Sequence, residues 1–215
     1  MTTFSSDKAD ERNLKEHWNH VYLNKPEENL GWYETDFNPT LKLISKTGLN
    51  KSSRIFIVGA GTTMLIETLM AIGYSNLIVT DISEVALNKL KERLGTADVE
   101  YIIDDLTNPT FLKDMTPVDL WIDRAVLHFF TREEDQDVYF DLLKSSVNRK
   151  GLVLFAEFNL RGATVCSGLP VYRYNKEMLS EKLGNNFELT DNFDYTYINP
   201  SGRERPYVYA LFRKK

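Results

Sequence analysis

Several features are scarce in this chain of 215 residues, and each scarcity excludes a class of protein. The single cysteine, Cys166, excludes an internal disulfide and any thiolate-rich zinc or iron–sulfur site. The three histidines, His17, His20 and His128, supply little material for a metal centre, so we expect none. No apolar run approaches the roughly 18 residues that a membrane-spanning helix needs, so we expect no membrane partner.

Basic residues are also fewer than acidic ones, 26 against 31. The net charge of −5 argues against a broad grip on phosphate backbones, so we expect no nucleic acid partner. The segment from Met1 to Arg12 is polar and acidic and does not show the basic-then-apolar order of a secretion signal. With 42% apolar and 27% charged residues, the composition is that of a globular protein, which we expect in the cytoplasm. Nothing in the sequence indicates an oligomeric state.

What the chain does contain is a regular alternation of strand and helix patterns. The patterns predict strands over residues 54–58, 76–80, 99–103, 118–122 and 151–158, and helices over residues 13–24, 38–44, 62–72, 84–94, 135–146 and 176–183. The tail predicts two strands, residues 187–198 and 206–213, around a turn at residues 199–202.

This plan predicts an α/β fold, a Rossmann-like three-layer sandwich. Its seven-stranded sheet is mostly parallel, with one antiparallel strand from the C-terminal hairpin. We predict a single domain over residues 1–215, with a helical cap over 1–50 and the Rossmann-like core over 51–215.

A glycine turn follows the first predicted strand. Gly59, Ala60 and Gly61 stand between strand and helix, where glycines allow a tight turn and a close approach of the backbone to a ligand. Met64 occupies the place of the third glycine of a dinucleotide fingerprint, so the motif is incomplete. Its position between strand and helix favours a nucleotide site.

Acidic residues end the next two strands. Asp81 follows Gly61 by 20 residues, which is where a carboxylate accepts hydrogen bonds from ribose hydroxyls in such folds; alternatively, Asp81 or Ser83 caps the next helix. Asp105, with Leu106, is placed to bind adenine, although two adjacent acids at a sheet edge are also typical of a solvated loop.

Several short segments together carry a resemblance to a known family. They are His17-Trp18 with Tyr22, Gly31-Trp32-Tyr33, Gly59-Ala60-Gly61, Asp81-Ile82-Ser83, Asp105-Leu106-Thr107, the run from Asp123 to Phe129, and the run from Cys166 to Tyr174. In these segments the chain resembles class I S-adenosylmethionine-dependent methyltransferases, and the runs DRAVLHFF and CSGLPV resemble a bacterial subgroup. The resemblance spans the chain from about His17 to its end.

The resemblance implies S-adenosylmethionine as cofactor. It places Gly59, Ala60 and Gly61 under the methionine moiety, and Asp123 and Arg124 beside the sulfonium. It places Asp81 and Ile82 at the ribose, and Asp105 and Leu106 at the adenine. The chain departs from the family at Ile57, where many members carry an acid that contacts the cofactor's amino group. We expect Asp123 or an N-terminal aromatic residue to replace that contact.

Candidate residues for the chemistry lie near the same turns. Methyl transfer from a sulfonium mainly requires an acceptor held in line, so a base matters only if the acceptor must lose a proton first. His128 and Arg124 are the candidate catalytic residues. The alternative for His128 is a ring packed between Phe129 and the sheet.

Other residues are candidates for covering the site. Trp18 and Trp32 form a lid facing the sulfonium or simply pack the first helix. The candidate acceptor contacts are Tyr33, Cys166, Tyr172 and Arg173, although a buried inert thiol and a loop anchored by the last two residues are equally ordinary.

We therefore expect methyl transfer to an acceptor, which the short loops predict to be a small molecule. Three alternatives stay open. One is a protein lysine methyltransferase, suggested by the N-terminal aromatic motif. Another is a nicotinamide-dependent short-chain reductase, suggested by the spacing of Tyr172 and Lys176. The last is a protein that binds the cofactor without transfer, suggested by Ile57.

Overall fold

The computed structural model describes residues 14–215. The helices are α1 (Leu14–Asn24), α2 (Asn38–Ile44), α3 (Leu65–Ala71), α4 (Glu84–Leu94), α5 (Glu133–Ser146) and α6 (Lys176–Leu183). The strands are β1 (Arg54–Val58), β2 (Asn76–Asp81), β3 (Val99–Ile103), β4 (Val118–Arg124), β5 (Val147–Phe158), β6 (Val165–Cys166), β7 (Leu169–Pro170), β8 (Phe187–Ile198) and β9 (Glu204–Lys214). Asn13 and the polar segment from Met1 to Arg12 lie outside the described residues.

Seven strands form one sheet in the order β3-β2-β1-β4-β5-β9-β8. Strands β1 to β5 are parallel, and β9 pairs antiparallel with both β5 and β8. Only β9 therefore runs against the other six strands. The predicted fold, including the single antiparallel strand from the C-terminal hairpin, is confirmed.

Both faces of this sheet are covered, which explains its continuously apolar strands. In β1, Ile55 and Ile57 face one apolar layer, which includes residues of α2, α3 and α4. Phe56 and Val58 face the other layer, which includes residues of α5 and α6. Because side chains alternate along a strand, consecutive residues at the end of a strand also point to opposite layers.

Some predicted boundaries were wrong. The helix predicted from residue 62 begins at Leu65, because the chain first makes a turn in which Thr63 N donates to Ala60 O at 2.9 Å. The strand predicted to end at residue 122 continues through Asp123 and Arg124, which pair with Phe155 and Ala156 of β5. Strand β5 begins at residue 147 and β9 spans residues 204–214, so both are longer than predicted.

Two local predictions are confirmed. Asn175 caps α6, its side chain accepting from Met178 N at 2.8 Å. The hairpin turn at residues 199–202 is held by Asn199 Oδ1, which accepts from the backbone nitrogens of Ser201 and Arg203. Within residues 14–215, no helix combines the length and the apolar character that crossing a bilayer requires.

Candidate active site

Two adjoining cavities lie at the carboxyl ends of the parallel strands. The first, which we call the β2–β3 cavity, is lined by Asp81, Ile82, Asp105 and Leu106 among others. The second, the β1–β4 cavity, is lined by Ile57, Ala60, Met64, Glu34 and others. Trp32, Gly59 and Arg124 line both, so the cavities meet at these three residues. Ligands of open α/β sheets bind at this end of the strands.

Asp81 ties the end of β2 to the glycine turn. Its Oδ2 accepts from Gly61 N and its Oδ1 from Ser83 N, both at 2.8 Å. Burial raises the pKa of Asp81 to about 6, against the opposing effect of these backbone hydrogen bonds. The helix cap is Ser83, whose hydroxyl accepts from Ala86 N at 3.2 Å. Asp81 therefore lines the β2–β3 cavity without being the capping residue of α4.

The two acids after β3 have different environments. Asp104 Oδ2 accepts from Phe111 N and Leu112 N at 2.8 and 2.9 Å. Burial would raise the pKa of Asp104, but backbone hydrogen bonds from this loop outweigh burial and lower it. Asp105 accepts from Thr107 N at 2.8 Å and lies with Leu106 on the cavity wall. Asp104 therefore organises the loop that presents Asp105.

The glycine turn has steric reasons for its composition. Gly59 and Gly61 have φ values of +52° and +53°, a backbone conformation that residues with side chains rarely adopt. A Cβ at Gly59 would lie 2.2 Å from Val126 Cγ2, and one at Gly61 would lie 2.2 Å from Tyr22 Oη. Both glycines are thus required by neighbouring side chains as well as by backbone conformation.

An aromatic cluster lies over the β2–β3 cavity. The ring centroid of Trp18 lies 5.5 Å from that of Trp32 and 5.0 Å from that of Phe129, in edge-to-face geometry. Tyr22 contacts Trp32 at 6.1 Å. All four rings line the cavity, so Trp18 and Trp32 occupy the position that the lid interpretation requires. They also pack against one another, as the core interpretation requires.

Arg124, the last residue of β4, forms an ion pair with Glu34. Arg124 Nε lies 2.7 Å from Glu34 Oε2, and the two side chains are 12% and 3% exposed. Arg124 Nη1 also donates to Trp32 O at 3.2 Å. Burial would lower the pKa of Arg124, but the Glu34 carboxylate together with Tyr209 and Tyr207 outweighs burial, so the pKa is raised. Burial raises the pKa of Glu34 against the opposing effect of Arg124.

Sequence reasoning missed Glu34. The residue follows the aromatic group Gly31-Trp32-Tyr33 directly, but a single glutamate beside aromatic residues carries no signal of burial. Only the contact with Arg124, far along the chain, gives this carboxylate a place at the site.

On the other face of β4 lies a buried network of Asp123, Tyr139, Glu157 and His128. Asp123 Oδ1 accepts from Val126 N at 3.1 Å, and its Oδ2 accepts from the Tyr139 hydroxyl. His128 Nδ1 lies 2.7 Å from Glu157 Oε2. Asp123, His128 and Glu157 are each 0% exposed.

Burial sets the proton affinities of this network. Burial and the adjacent Glu157 carboxylate raise the pKa of Asp123 well above its usual range. Burial also raises the pKa of Glu157, to about 7. Neither Asp123 nor His128 lines either cavity. The cofactor contact predicted for Asp123 and the catalytic role predicted for His128 therefore have no direct geometric support.

The predicted acceptor residues do not come together. Tyr33 lines the β1–β4 cavity, and its hydroxyl contacts Met64 Sδ at 3.6 Å. Cys166 is buried in β6, Tyr172 N donates to His128 O at 2.7 Å, and Arg173 Nη1 donates to Leu160 O at 2.9 Å. None of these three lines either cavity. Across residues 14–215, His, Cys, Asp and Glu side chains form no group of three or more that could hold a metal ion.

Comparison with known proteins identifies the fold. No protein-family model matches the chain, and no curated protein matches it in sequence. Solved structures do match. A SAM-dependent methyltransferase from Anabaena variabilis has a TM-score of 0.77 at 13% identity, over 94% of this chain and 93% of that one.

Two further solved structures contain a cofactor or its product. The magnesium protoporphyrin IX methyltransferase of Synechocystis with bound SAM has a TM-score of 0.70 at 15% identity, over 99% and 100% of the two chains. The N-methyltransferase NodS of Bradyrhizobium japonicum in complex with S-adenosylhomocysteine has a TM-score of 0.69 at 12% identity, over 94% and 98%. This chain therefore shares the Rossmann-like fold of these methyltransferases.

Proposed function

We propose that this protein transfers a methyl group from S-adenosylmethionine to a small-molecule acceptor by direct in-line displacement. The observation that carries the proposal is the convergence of Asp81, Asp105 and Gly59 of the glycine turn on one cavity at the carboxyl ends of the strands. The sheet order around that cavity belongs to a fold shared with proteins crystallised with SAM or S-adenosylhomocysteine.

The chemistry of the β2–β3 cavity fits an adenosine. Asp81 offers a carboxylate to ribose hydroxyls, and Asp105 offers one to the adenine amino group. Leu106 and Ile82 supply apolar walls, and the backbone N–H of Leu106 is the proposed donor to a ring nitrogen. The residues present therefore match both the hydroxyl donors and the apolar ring of the cofactor.

The residues around the reaction centre exclude water and position the ligands. When bound, the cofactor supplies a methyl group that its positively charged sulfur already activates. Trp18 and Trp32 exclude water, and an indole face turned toward the sulfonium would attract its positive charge. Arg124 lies at the junction of the two cavities and positions ligand groups there. In-line transfer to a well-positioned acceptor needs no further group, unless the acceptor must first lose a proton.

Two observations support a small acceptor. Magnesium protoporphyrin IX methyltransferase and 1,6-didemethyltoxoflavin-N1-methyltransferase, both similar in fold, are named for small acceptors. Both cavities described above also lie at the edge of a single sheet.

The net charge of −5 disfavours nucleic acid as a partner, and a single cysteine is consistent with the reducing environment of the cytoplasm. The runs DRAVLHFF and CSGLPV support the proposal that the chain belongs to the bacterial subgroup. We also propose that residues 1–215 form one domain.

Calorimetric titration with SAM, S-adenosylhomocysteine, NADH and NADPH tests the proposal. We expect binding of the two adenosyl compounds alone, weakened at least about tenfold by Asp81→Asn, which removes the ionised acceptor. The matched control is Asp98→Asn, an exposed aspartate before β3 that should leave affinity unchanged.

The remaining outcomes separate the alternatives. Binding of a nicotinamide nucleotide instead would overturn the proposal in favour of a reductase. Methylation of a lysine in a protein or peptide, with no small amine, phenol or thiol accepted, would favour a protein methyltransferase. Binding of SAM with no transfer to any acceptor class would favour the non-catalytic interpretation.

A further inference from the structure

The β1–β4 cavity adjoins the proposed adenosine site on the side of Gly59 and Arg124. Asp81 and Asp105 lie at the β2–β3 cavity, and the two cavities meet at Trp32, Gly59 and Arg124. A ligand whose adenosine contacts Asp81 and Asp105 therefore extends past Gly59 toward the ends of β1 and β4. The part of the cofactor beyond its sulfur is an α-amino acid group, which carries one ammonium and one carboxylate.

The lining of the β1–β4 cavity contains one charge of each sign. Among residues 14–215, Glu34 is the only acidic residue and Arg124 the only basic residue that line it; the rest of the wall is largely apolar, including Leu30, Ile57 and Ile122. Ile57 is the position at which the sequence shows no acid. Asp123, considered above as a replacement, is 0% exposed and bonded within the buried network on the opposite face of β4.

The Glu34–Arg124 pair has unused hydrogen-bonding capacity. Glu34 Oε2 and Arg124 Nε are engaged with each other at 2.7 Å. Glu34 Oε1 and Arg124 Nη2 are shielded from solvent and have no well-aligned hydrogen bond within residues 14–215, and the contact between Glu34 Oε2 and Arg124 Nε is an ion pair that is not aligned as a hydrogen bond. The Tyr209 hydroxyl also interacts with Arg124. Buried polar atoms without partners are uncommon and call for a specific explanation. A ligand carrying an ammonium and a carboxylate would satisfy both atoms.

Resting on the proposed function, we propose that Glu34 binds the α-ammonium group of the cofactor and that Arg124 binds its α-carboxylate. Glu34 thereby supplies from the N-terminal segment the negative charge that the end of β1 does not supply. The pair binds the amino-acid end as a zwitterion, and the net charge of the cavity stays balanced in both free and bound protein.

The experiment compares S-adenosylhomocysteine with two analogues by calorimetry. One is 5′-methylthioadenosine, which has the adenosine and the sulfur without the amino-acid end. The other is S-adenosylhomocysteine without its α-amino group. We expect Glu34→Gln to weaken S-adenosylhomocysteine about 10- to 100-fold, because a charge-assisted contact is lost, and to change either analogue less than about threefold. Asp36→Asn is the matched control: it removes an exposed charge nearby, keeps an acceptor for Asn38 N, and should change each affinity less than about threefold.

Each other outcome is decisive. If Glu34→Gln weakened the binding of all three ligands equally, the ion pair would only stabilise the local structure, and the inference would be overturned. Unchanged affinity of the variant for S-adenosylhomocysteine would overturn it as well. If Glu34→Gln does not fold, the wild-type protein still decides: it must bind S-adenosylhomocysteine at least about tenfold more tightly than the deaminated analogue. Failure of the wild type to bind any adenosyl ligand would overturn the proposed function too.

Discussion

Two consecutive residues of β4 lead to two different polar groups. Asp123 points to the α5 side of the sheet and enters a network that solvent does not reach. Arg124 points to the opposite side, lines both cavities and pairs with Glu34. The two carboxylates, Asp123 and Glu34, are both buried, but Asp123 accepts hydrogen bonds on both oxygens, whereas Glu34 Oε1 has no hydrogen-bond partner among residues 14–215. Cavity access, more than burial, distinguishes these two acids, because Glu34 lines the β1–β4 cavity and Asp123 lines neither cavity.

The largest expected effect is on stability, at the buried network. Asp123→Ala leaves Tyr139 and Val126 N without their acceptor, so we expect the free energy of unfolding to fall by about 4 kcal/mol. Urea denaturation measures the loss. The folded fraction should bind S-adenosylhomocysteine within about threefold of the wild type, because Asp123 lines neither cavity. A loss of affinity with little loss of stability would contradict the assignment of Asp123 to the buried network and would place it at the ligand site.

The next effect is the pH dependence of stability. Burial raises the pKa of Glu157 from 4.5 to about 7, so the folded protein holds this proton more tightly than the unfolded chain does. The corresponding stabilisation is complete below about pH 4.5 and is lost as the pH rises through about 7. We expect unfolding free energy to fall by about 2–3 kcal/mol between pH 5 and 8.

Glu157→Gln is the variant that isolates this effect. In this variant the unfolding free energy, measured by urea denaturation across the same pH range, should depend less steeply on pH. A slope of the same sign should remain, because burial also raises the pKa of Asp81, to about 6, and that of Asp123. A wild-type protein that gained stability with rising pH, or a variant with an unchanged slope, would contradict the assignment.

A smaller effect is expected at the floor of the cavities. In Gly59→Ala the new Cβ would lie 2.2 Å from Val126 Cγ2 and displace that side chain, which lines the β2–β3 cavity. We expect affinity for S-adenosylhomocysteine to fall about tenfold. Gly48→Ala is the control, since Gly48 also has a positive φ, +71°, but nothing lies within 4 Å of its Cβ position. Equal affinities of the two variants would argue against ligand contact at Gly59.

The smallest effect on ligand binding is expected at His128. Its ring is enclosed by Phe129 and Phe158 and contacts Glu157. His128→Asn should cost about 1–2 kcal/mol of stability and change affinity for S-adenosylhomocysteine less than about threefold. Calorimetry and urea denaturation of the same preparation give both values. A large affinity loss in a stably folded variant would restore a direct role for His128 at the site.

Local patterns were sufficient for most of the architecture. The apolar run at residues 54–58, the cap at Asn175 and the turn at Asn199 act through neighbours in the chain, so their outcomes could be predicted residue by residue. The glycine turn and Asp81 were placed at a common cavity for the same reason, because strand ends of a parallel sheet share one edge.

Local patterns predict the sheet, its single reversed strand and the edge at which the candidate site lies, because periodicity and turn chemistry depend on neighbours in the chain. Which acids line the candidate site depends on the tertiary structure. Asp123 and Arg124 are adjacent in sequence, yet the pleat of β4 sends them to opposite layers. Glu34 becomes a candidate contact only because the N-terminal segment folds back onto β4 and places its carboxylate against Arg124. Burial and pairing depend on residues distant in the chain, and no local pattern contains them.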